Sequence, residues 1–278
     1  MKRAVLAAII LTGACGPSGR DGNGDLPDAR GTSGDGQVTL PQSRVYAHSG
    51  SKLFQVDTTT LAPVEIGTMG GIGTQSLTDL AIDKTDRMLG ITLDKLYKID
   101  QTTGTATLVT DLSTSARGFT SLSFVPADIS NPSSTDILVS ANDQGDVYSI
   151  DATSGSATKI GSYGSVSAGK VISSGDLIGV QGLGIYATVD VGTATNDYLA
   201  RIDPTTWKAT PIGSGTGYDD IFGLAYWDGK IYGFVDGGSG GTGKIITIDP
   251  TTGAGTQVQS GAVRWYGAGV ATNAPIIQ

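Results

Sequence analysis

A fifteen-residue pattern that recurs five times constrains this chain more than any other feature. LFQVDTTTLAPVEIG begins at Leu53, LYKIDQTTGTATLVT at Leu96, VYSIDATSGSATKIG at Val147, LARIDPTTWKATPIG at Leu199 and IITIDPTTGAGTQVQ at Ile245. The aspartates of the five copies, Asp57, Asp100, Asp151, Asp203 and Asp249, are spaced by 43, 51, 52 and 46 residues. Nine residues after each stands an aliphatic side chain: Ile66, Val109, Ile160, Ile212 or Val258. A period of this length, with strand patterning and no helical pattern, predicts a radial array of small sheets. One unit alone cannot bury its own faces, so the units must pack against one another.

Each copy reads as a hairpin. Tyr97 and Ile99 point to one face while Leu96 and Lys98 point to the other, the period of two that a strand imposes. The Asp then closes a turn through its side chain, and Gly104, Gly155 or Gly253 supplies the positive φ such a turn needs. Leu61 and Trp207 stand where the other copies have that Gly, which predicts a different turn in units one and four. The five aspartates are therefore turn formers and not catalysts.

Two further apolar runs precede each of the last four hairpins: TDLAID with RMLGIT, TSLSFV with DILVSA, GDLIGV with GIYATV, and IFGLAYW with KIYGFV. The first hairpin has only RVYAHS ahead of it, and the chain ends on an unmatched run, WYGAGVAT. Placing Tyr266–Thr272 as the innermost strand of blade one closes a ring and removes a sheet edge. The predicted fold is an all-β, five-bladed β-propeller of four-stranded antiparallel blades, closed by the C-terminal strand.

The repeat resembles the LYxIDPxTGxxTxIG unit of secreted and lipid-anchored bacterial β-propellers, over about residues 38–273. The resemblance implies a fold and not an activity, since propellers of this kind include binders, lectin-like modules, enzymes and scaffolds.

The N-terminus carries a different message. Lys2 and Arg3 precede a short apolar stretch from Ala4 to Thr12, and Gly13 and Ala14 lead to Cys15, the only cysteine of the chain. This is the order of a signal peptide over residues 1–14, with Cys15 at the position that bacterial lipoproteins acylate. Thr12 stands where that family prefers Leu. Gly16 after the Cys matches the sorting rule that sends such proteins to the outer membrane. Residues 15–37, rich in Gly, Asp and Pro, cannot offset their ordering entropy and read as a tether, with the propeller domain over 38–278. The net charge of −8 argues against nucleic acid and leaves the lipid anchor as the only membrane contact expected. One Cys and one His exclude a disulfide framework and a Cys/His zinc site within the folded body.

Two motifs resemble chemistry and fail on context. GSGGTGK at Gly238–Lys244 matches the start of a P-loop, but Ile245 replaces the magnesium-binding hydroxyl and a strand follows where a helix is needed. Gly237, Ser239 and Gly241 match a nucleophile elbow, yet the lone His48 reads as a satisfied structural residue at a strand end. Carboxylates remain. Asp79, Asp176, Asp219 and Asp220 all stand at the start of predicted innermost strands, on the face where the long connections 67–78, 161–175, 213–220 and 236–243 open. These four and Tyr218 are the expected ligand-binding residues, with Tyr163, Trp265 and Tyr266 in the same connections and Tyr266 read as packing. The partner classes expected there are a glycan, a peptide or a protein, and calcium is the one cofactor such carboxylates suit. No catalytic residue is assigned. The alternative is a glycosidase pairing Asp79 with Asp220 or Asp176, although Glu65 is the only glutamate. The expectation is thus a non-enzymatic binding or scaffold propeller, lipid-anchored at the outer membrane.

Overall fold

The computed structural model describes residues 44–112 and 118–272. Blade one contributes β1 (Val45–His48), β2 (Lys52–Val56) and β3 (Pro63–Thr68), and blade two β4 (Asp79–Ile82), β5 (Met88–Ile91), β6 (Lys95–Ile99) and β7 (Ala106–Asp111). Blade three holds β8 (Ser123–Pro126), β9 (Asp136–Ala141), β10 (Asp146–Ile150) and β11 (Ala157–Ser162). Blade four holds β12 (Ser165–Val166), β13 (Gly169–Val180), β14 (Gly184–Val191), β15 (Tyr198–Ile202) and β16 (Ala209–Pro211). Blade five is β17 (Ile221–Trp227), β18 (Lys230–Val235), β19 (Gly243–Ile248) and β20 (Gly255–Gly261), and β21 (Gly267–Val270) follows. The sheets are antiparallel throughout, and β21 pairs with β1 from Val45↔Val270 to His48↔Gly267, completing blade one in the order β21-β1-β2-β3. The innermost strands touch around the ring: β21 with β4, β4 with β8, β8 with β13, β13 with β17 and β17 with β21. This is the five-bladed propeller that the repeat predicts.

Where the sequence predicts a long connection over 161–175, the structure adds strand. β12 and the start of β13 form a small hairpin, and Val171–Ser173 pair with Val189–Val191 beyond a break in register at Ser173/Leu177. Blade four therefore carries this two-residue strand in addition to its four.

The core is divided among the five joints between blades. Leu80, Tyr97 and Ile99 pack with Tyr46 and Leu53 between blades one and two, and Phe119 and Leu138 with Leu89 and Leu96 between two and three. Because every blade is covered on both sides, the period-two alternation collapses. Leu96, Tyr97 and Ile99 are all buried, and only Lys98 of that strand is exposed. Gln55 and Arg201 are the exposed equivalents in blades one and four.

The aliphatic residue nine positions after each Asp also finds its reason. The hairpin register breaks between Leu53/Phe54, Leu96/Tyr97, Val147/Tyr148 and Ile245/Ile246, leaving Ile66, Val109, Ile160 and Val258 as the extra residue of a bulge. A bulge turns its residue and sharpens strand twist. It directs Ile66, Val109 and Ile160 into the joint with the next blade, where they pack partly buried, whereas Val258 stays exposed.

The turns correct one expectation. In each copy the Asp carboxylate accepts the N–H groups two and three residues on, as Asp151 Oδ1 does from Thr153 (2.9 Å) and Ser154 (2.7 Å). Leu61 (φ 61°) and Trp207 (φ 61°) take the same left-handed conformation as Gly104 (φ 75°), and their N–H groups close the same bond to the Asp carbonyl. The turns do not differ. The left-handed cost of about 1–2 kcal/mol per residue is offset at Trp207 by burial in the joint between blades three and four.

Candidate functional site

Equivalent positions in or just before the innermost strands are occupied by Asp79, Ser121, Asp176, Gly223 and Gly267, all buried. Asp79 accepts the Leu80 N–H (2.8 Å) with Oδ1 and reaches the next blade with Oδ2, which accepts the Leu122 N–H (2.7 Å). Asp176 repeats the device one blade-pair on, accepting from Leu177 (2.6 Å) and from Leu224 of blade five (2.7 Å). The two carboxyls come from non-adjacent blades and meet across the axis. Burial first, and then the charge of Asp176, holds Asp79 well above the usual carboxylate range, and burial does the same for Asp176. Two buried carboxyls that shift one another resist double ionisation, so the pair favours a protonated form.

The structure places Asp79 and Asp176, two of the expected ligand-binding residues, beneath the surface of the ring. They are 0% and 1% exposed and staple neighbouring blades together. His48 lies beside them. A Cβ added to Gly267 would collide with His48 Nε2 and fall 2.5 Å from Asp79 Oδ1, so only Gly fits there. The Ser49 carbonyl accepts from His48 Nδ1 (2.9 Å), leaving Nε2 buried without a partner. The imidazole is thus half-satisfied rather than satisfied, and burial lowers its pKa to about 4.

Immediately above this layer is a cavity of about 390 Å³ at the mouth of the channel. All five blades contribute: Tyr266 from blade one, Thr78 and Leu93 from blade two, Thr120 from blade three, Ser174 from blade four and Phe222 from blade five. The Phe222 and Tyr266 rings stand 6.2 Å apart at 58°. No Asp, Glu, Lys, Arg or His lines it. Tyr266, expected to be packing, is a wall of this cavity, while Tyr163 and Trp265 are the fully buried packing residues.

The remaining predicted residues lie off the axis, between blades four and five. Asp219 is exposed and joins Asp190, at the end of β14, and Asp197, just before β15. One carboxylate oxygen from each falls within 4.8 Å of the others. Burial pushes Asp197 up to about 7, against the Ser174 hydroxyl and the Ile221 N–H, which favour its charged form. Burial also raises Asp190, and Asp219 adds repulsion. Asp220 adopts a left-handed backbone (φ 57°) and is raised by burial and then by Asp219 and Asp236, the latter held by Arg264 in a two-point ion pair. Asp79 and Asp220 thus belong to separate groups. Tyr218 gives its carbonyl to the Asp197 N–H (2.8 Å), and its ring packs over Gly255. Sequence reasoning missed Asp190, Asp197, Thr120 and Phe222. Asp190 and Asp197 flank the connection between the second and third strands of blade four, a signal present in VDVGTATNDY.

No protein-family description matches the chain, and no curated protein matches it in sequence. Solved structures do resemble it. One is a symmetrical protein whose de novo evolutionary emergence is described as shaped by folding constraints (TM-score 0.50, 16% identity, 81% of this chain and 97% of that one). Another is a protein of unknown function from Bacteroides thetaiotaomicron VPI-5482 (TM-score 0.48, 13% identity), with 68% of this chain covering 53% of its length. A third, assigned as TolB, comes from Agrobacterium tumefaciens (TM-score 0.46, 15% identity, 81% and 80% covered). At such identity the first likeness is one of fold alone.

Proposed function

We propose that this is an exported, lipid-anchored propeller that binds without catalysis, holding an uncharged and largely apolar group in the channel-mouth cavity. A bulky apolar side chain of a peptide or protein partner is the occupant that suits it best. The observation that carries this reading is a cavity walled by one residue or more from every blade, with two aromatic rings and no Asp, Glu, Lys, Arg or His. Rigid, concave, mainly apolar sites with a few hydroxyl groups are where ligands of this kind bind. The buried state of Asp79, Asp176 and His48 supports binding over hydrolysis, because a general acid must reach its substrate. Anchoring rests on Cys15 and the segment before it, which lie outside the described residues, as does the tether to residue 37.

The test is a paired screen of peptide and neutral-glycan arrays with the mature chain, followed by titration of the hits against Tyr266→Ala and Thr120→Ala. Tyr266→Ala should weaken the best peptide at least tenfold, the loss of about 1.4 kcal/mol, while the melting temperature changes little. Binding untouched by both substitutions overturns the reading. Hits confined to neutral sugars would keep the cavity and replace the ligand class.

A further inference from the structure

We propose that Asp190, Asp197 and Asp219 form a binding site for a hard divalent cation of the calcium class, on the long-loop face between blades four and five. The site is distinct from the channel-mouth cavity, and neither reading depends on the other.

Two observations carry it. The first is convergence: three carboxylates from three separate stretches of chain bring an oxygen each to within 4.8 Å of one another. None of the three takes part in any ion pair among the described residues. Of the cations in this region, Arg264 is held at both ends by Asp236, and Lys244 lies over the Tyr218 ring with Nζ 6.0 Å from its centroid. The second observation concerns Asp197 alone. Its side chain is fully buried, Oδ2 accepts the Ile221 N–H at 2.8 Å, and Oδ1 is buried with no hydrogen-bond partner. The Ser174 hydroxyl lies near the Asp197 carboxylate and favours its charged form, yet no donor bonds Oδ1, and a sealed carboxylate oxygen on a residue grouped with two further carboxylates is an arrangement that a positive ion completes.

The chemistry of the donors selects the ion. All are oxygens; His48 is packed at the channel axis and Cys15 lies near the N-terminus, so the nitrogen and sulfur ligands that favour zinc or copper are absent from the cluster. Ligands on opposite sides of calcium sit about twice 2.3–2.6 Å apart, and the three oxygens, all within 4.8 Å of one another, can sit around such an ion. Magnesium requires tighter, near-octahedral ligands at about 2.0–2.1 Å. The exposed Asp219 and half-buried Asp190 leave room for water to fill the remaining positions. The backbone is already braced for this. Asp197 N–H donates to the Tyr218 carbonyl (2.8 Å), and Thr216 donates to the Asp197 carbonyl from both N (2.8 Å) and Oγ1 (2.9 Å). An ion here ties the connection after β14 to the loop that leads into β17, next to Ser174 of the cavity wall.

The experiment uses the full chain, stripped with EDTA and dialysed, then titrated with calcium chloride or magnesium chloride at pH 7.5. Calorimetry and thermal unfolding are the readouts, carried to about 10 mM because extracellular calcium sites bind at roughly 0.1–1 mM. One calcium per chain should bind and raise the melting temperature. Asp219→Asn, at the exposed rim, should fold as before and bind calcium at least tenfold more weakly, whereas Glu65→Gln should behave as the unaltered chain. The proposal is overturned if neither heat nor thermal shift appears, or if Asp219→Asn binds calcium undiminished. An equal or larger response to magnesium overturns the choice of calcium.

Discussion

Trp265 is the side chain on which closure of the ring can be measured. It sits just before β21, 1% exposed, with the rings of Phe54 from blade one and Phe234 from blade five set edge-on against it, each at 5.6 Å. Truncating a buried Trp to Ala costs about 3–5 kcal/mol in transfer and cavity terms. One contribution runs the other way. Trp265 Nε1 is buried with no acceptor, so deleting it returns part of the roughly 1–3 kcal/mol that an unsatisfied donor costs. The net loss for Trp265→Ala is therefore about 3 kcal/mol. At roughly 2–4 °C per kcal/mol for a domain of this size, the melting temperature falls by about 6–12 °C. Trp265→Phe keeps a ring between Phe54 and Phe234 and removes the orphan donor, so it should stay within about 1 kcal/mol of the unaltered chain. Thermal unfolding by circular dichroism, with urea titrations to check that the slope is unchanged, reads both values. An Ala variant melting within about 2 °C of the original would refute the closing role. A Phe variant as damaged as the Ala one would mean that the indole N–H is satisfied after all.

The Asp79–Asp176 pair makes a prediction about pH. Both folded pKa values are raised, so the pair's stabilising contribution is complete below the unfolded value of 3.8 and is lost as pH rises through the folded values. Asp176→Asn cannot ionise; its melting temperature relative to the unaltered chain should rise steadily from pH 4 to pH 8, and a difference that ignores pH would refute the protonated pair. Cys15→Ala should release the protein from the membrane fraction, and equal solubility and mass for both forms would refute lipidation.

How much of this was legible beforehand depends on the range of the interaction involved. The blade count, the apolar runs that became strands and the placement of Tyr266–Thr272 beside β1 all follow from local periodicity and the need to leave no sheet edge open. The Asp turns were equally plain, since the donors Thr153 and Ser154 lie two and three residues from Asp151. Leu61 and Trp207 were misjudged because the benefit that offsets their strained backbone comes from a neighbouring blade.

The carboxylates mark the boundary most clearly. That Asp79, Asp176, Asp219 and Asp220 begin innermost strands or border them was written in the sequence. Which of them meets water was decided by the ring. A five-bladed ring brings Asp79 and Asp176 close enough to shift one another and seals them beneath Thr78 and Ser174. The packing of blade five beside blade four gathers Asp190, Asp197 and Asp219 from positions 190 to 219 into one cluster. The repeat determined the blades, because strand pairing and turn formation act between near neighbours. Burial, the coupling of Asp79 to Asp176 and the convergence of ligands act between residues that only the packing of the blades brings together.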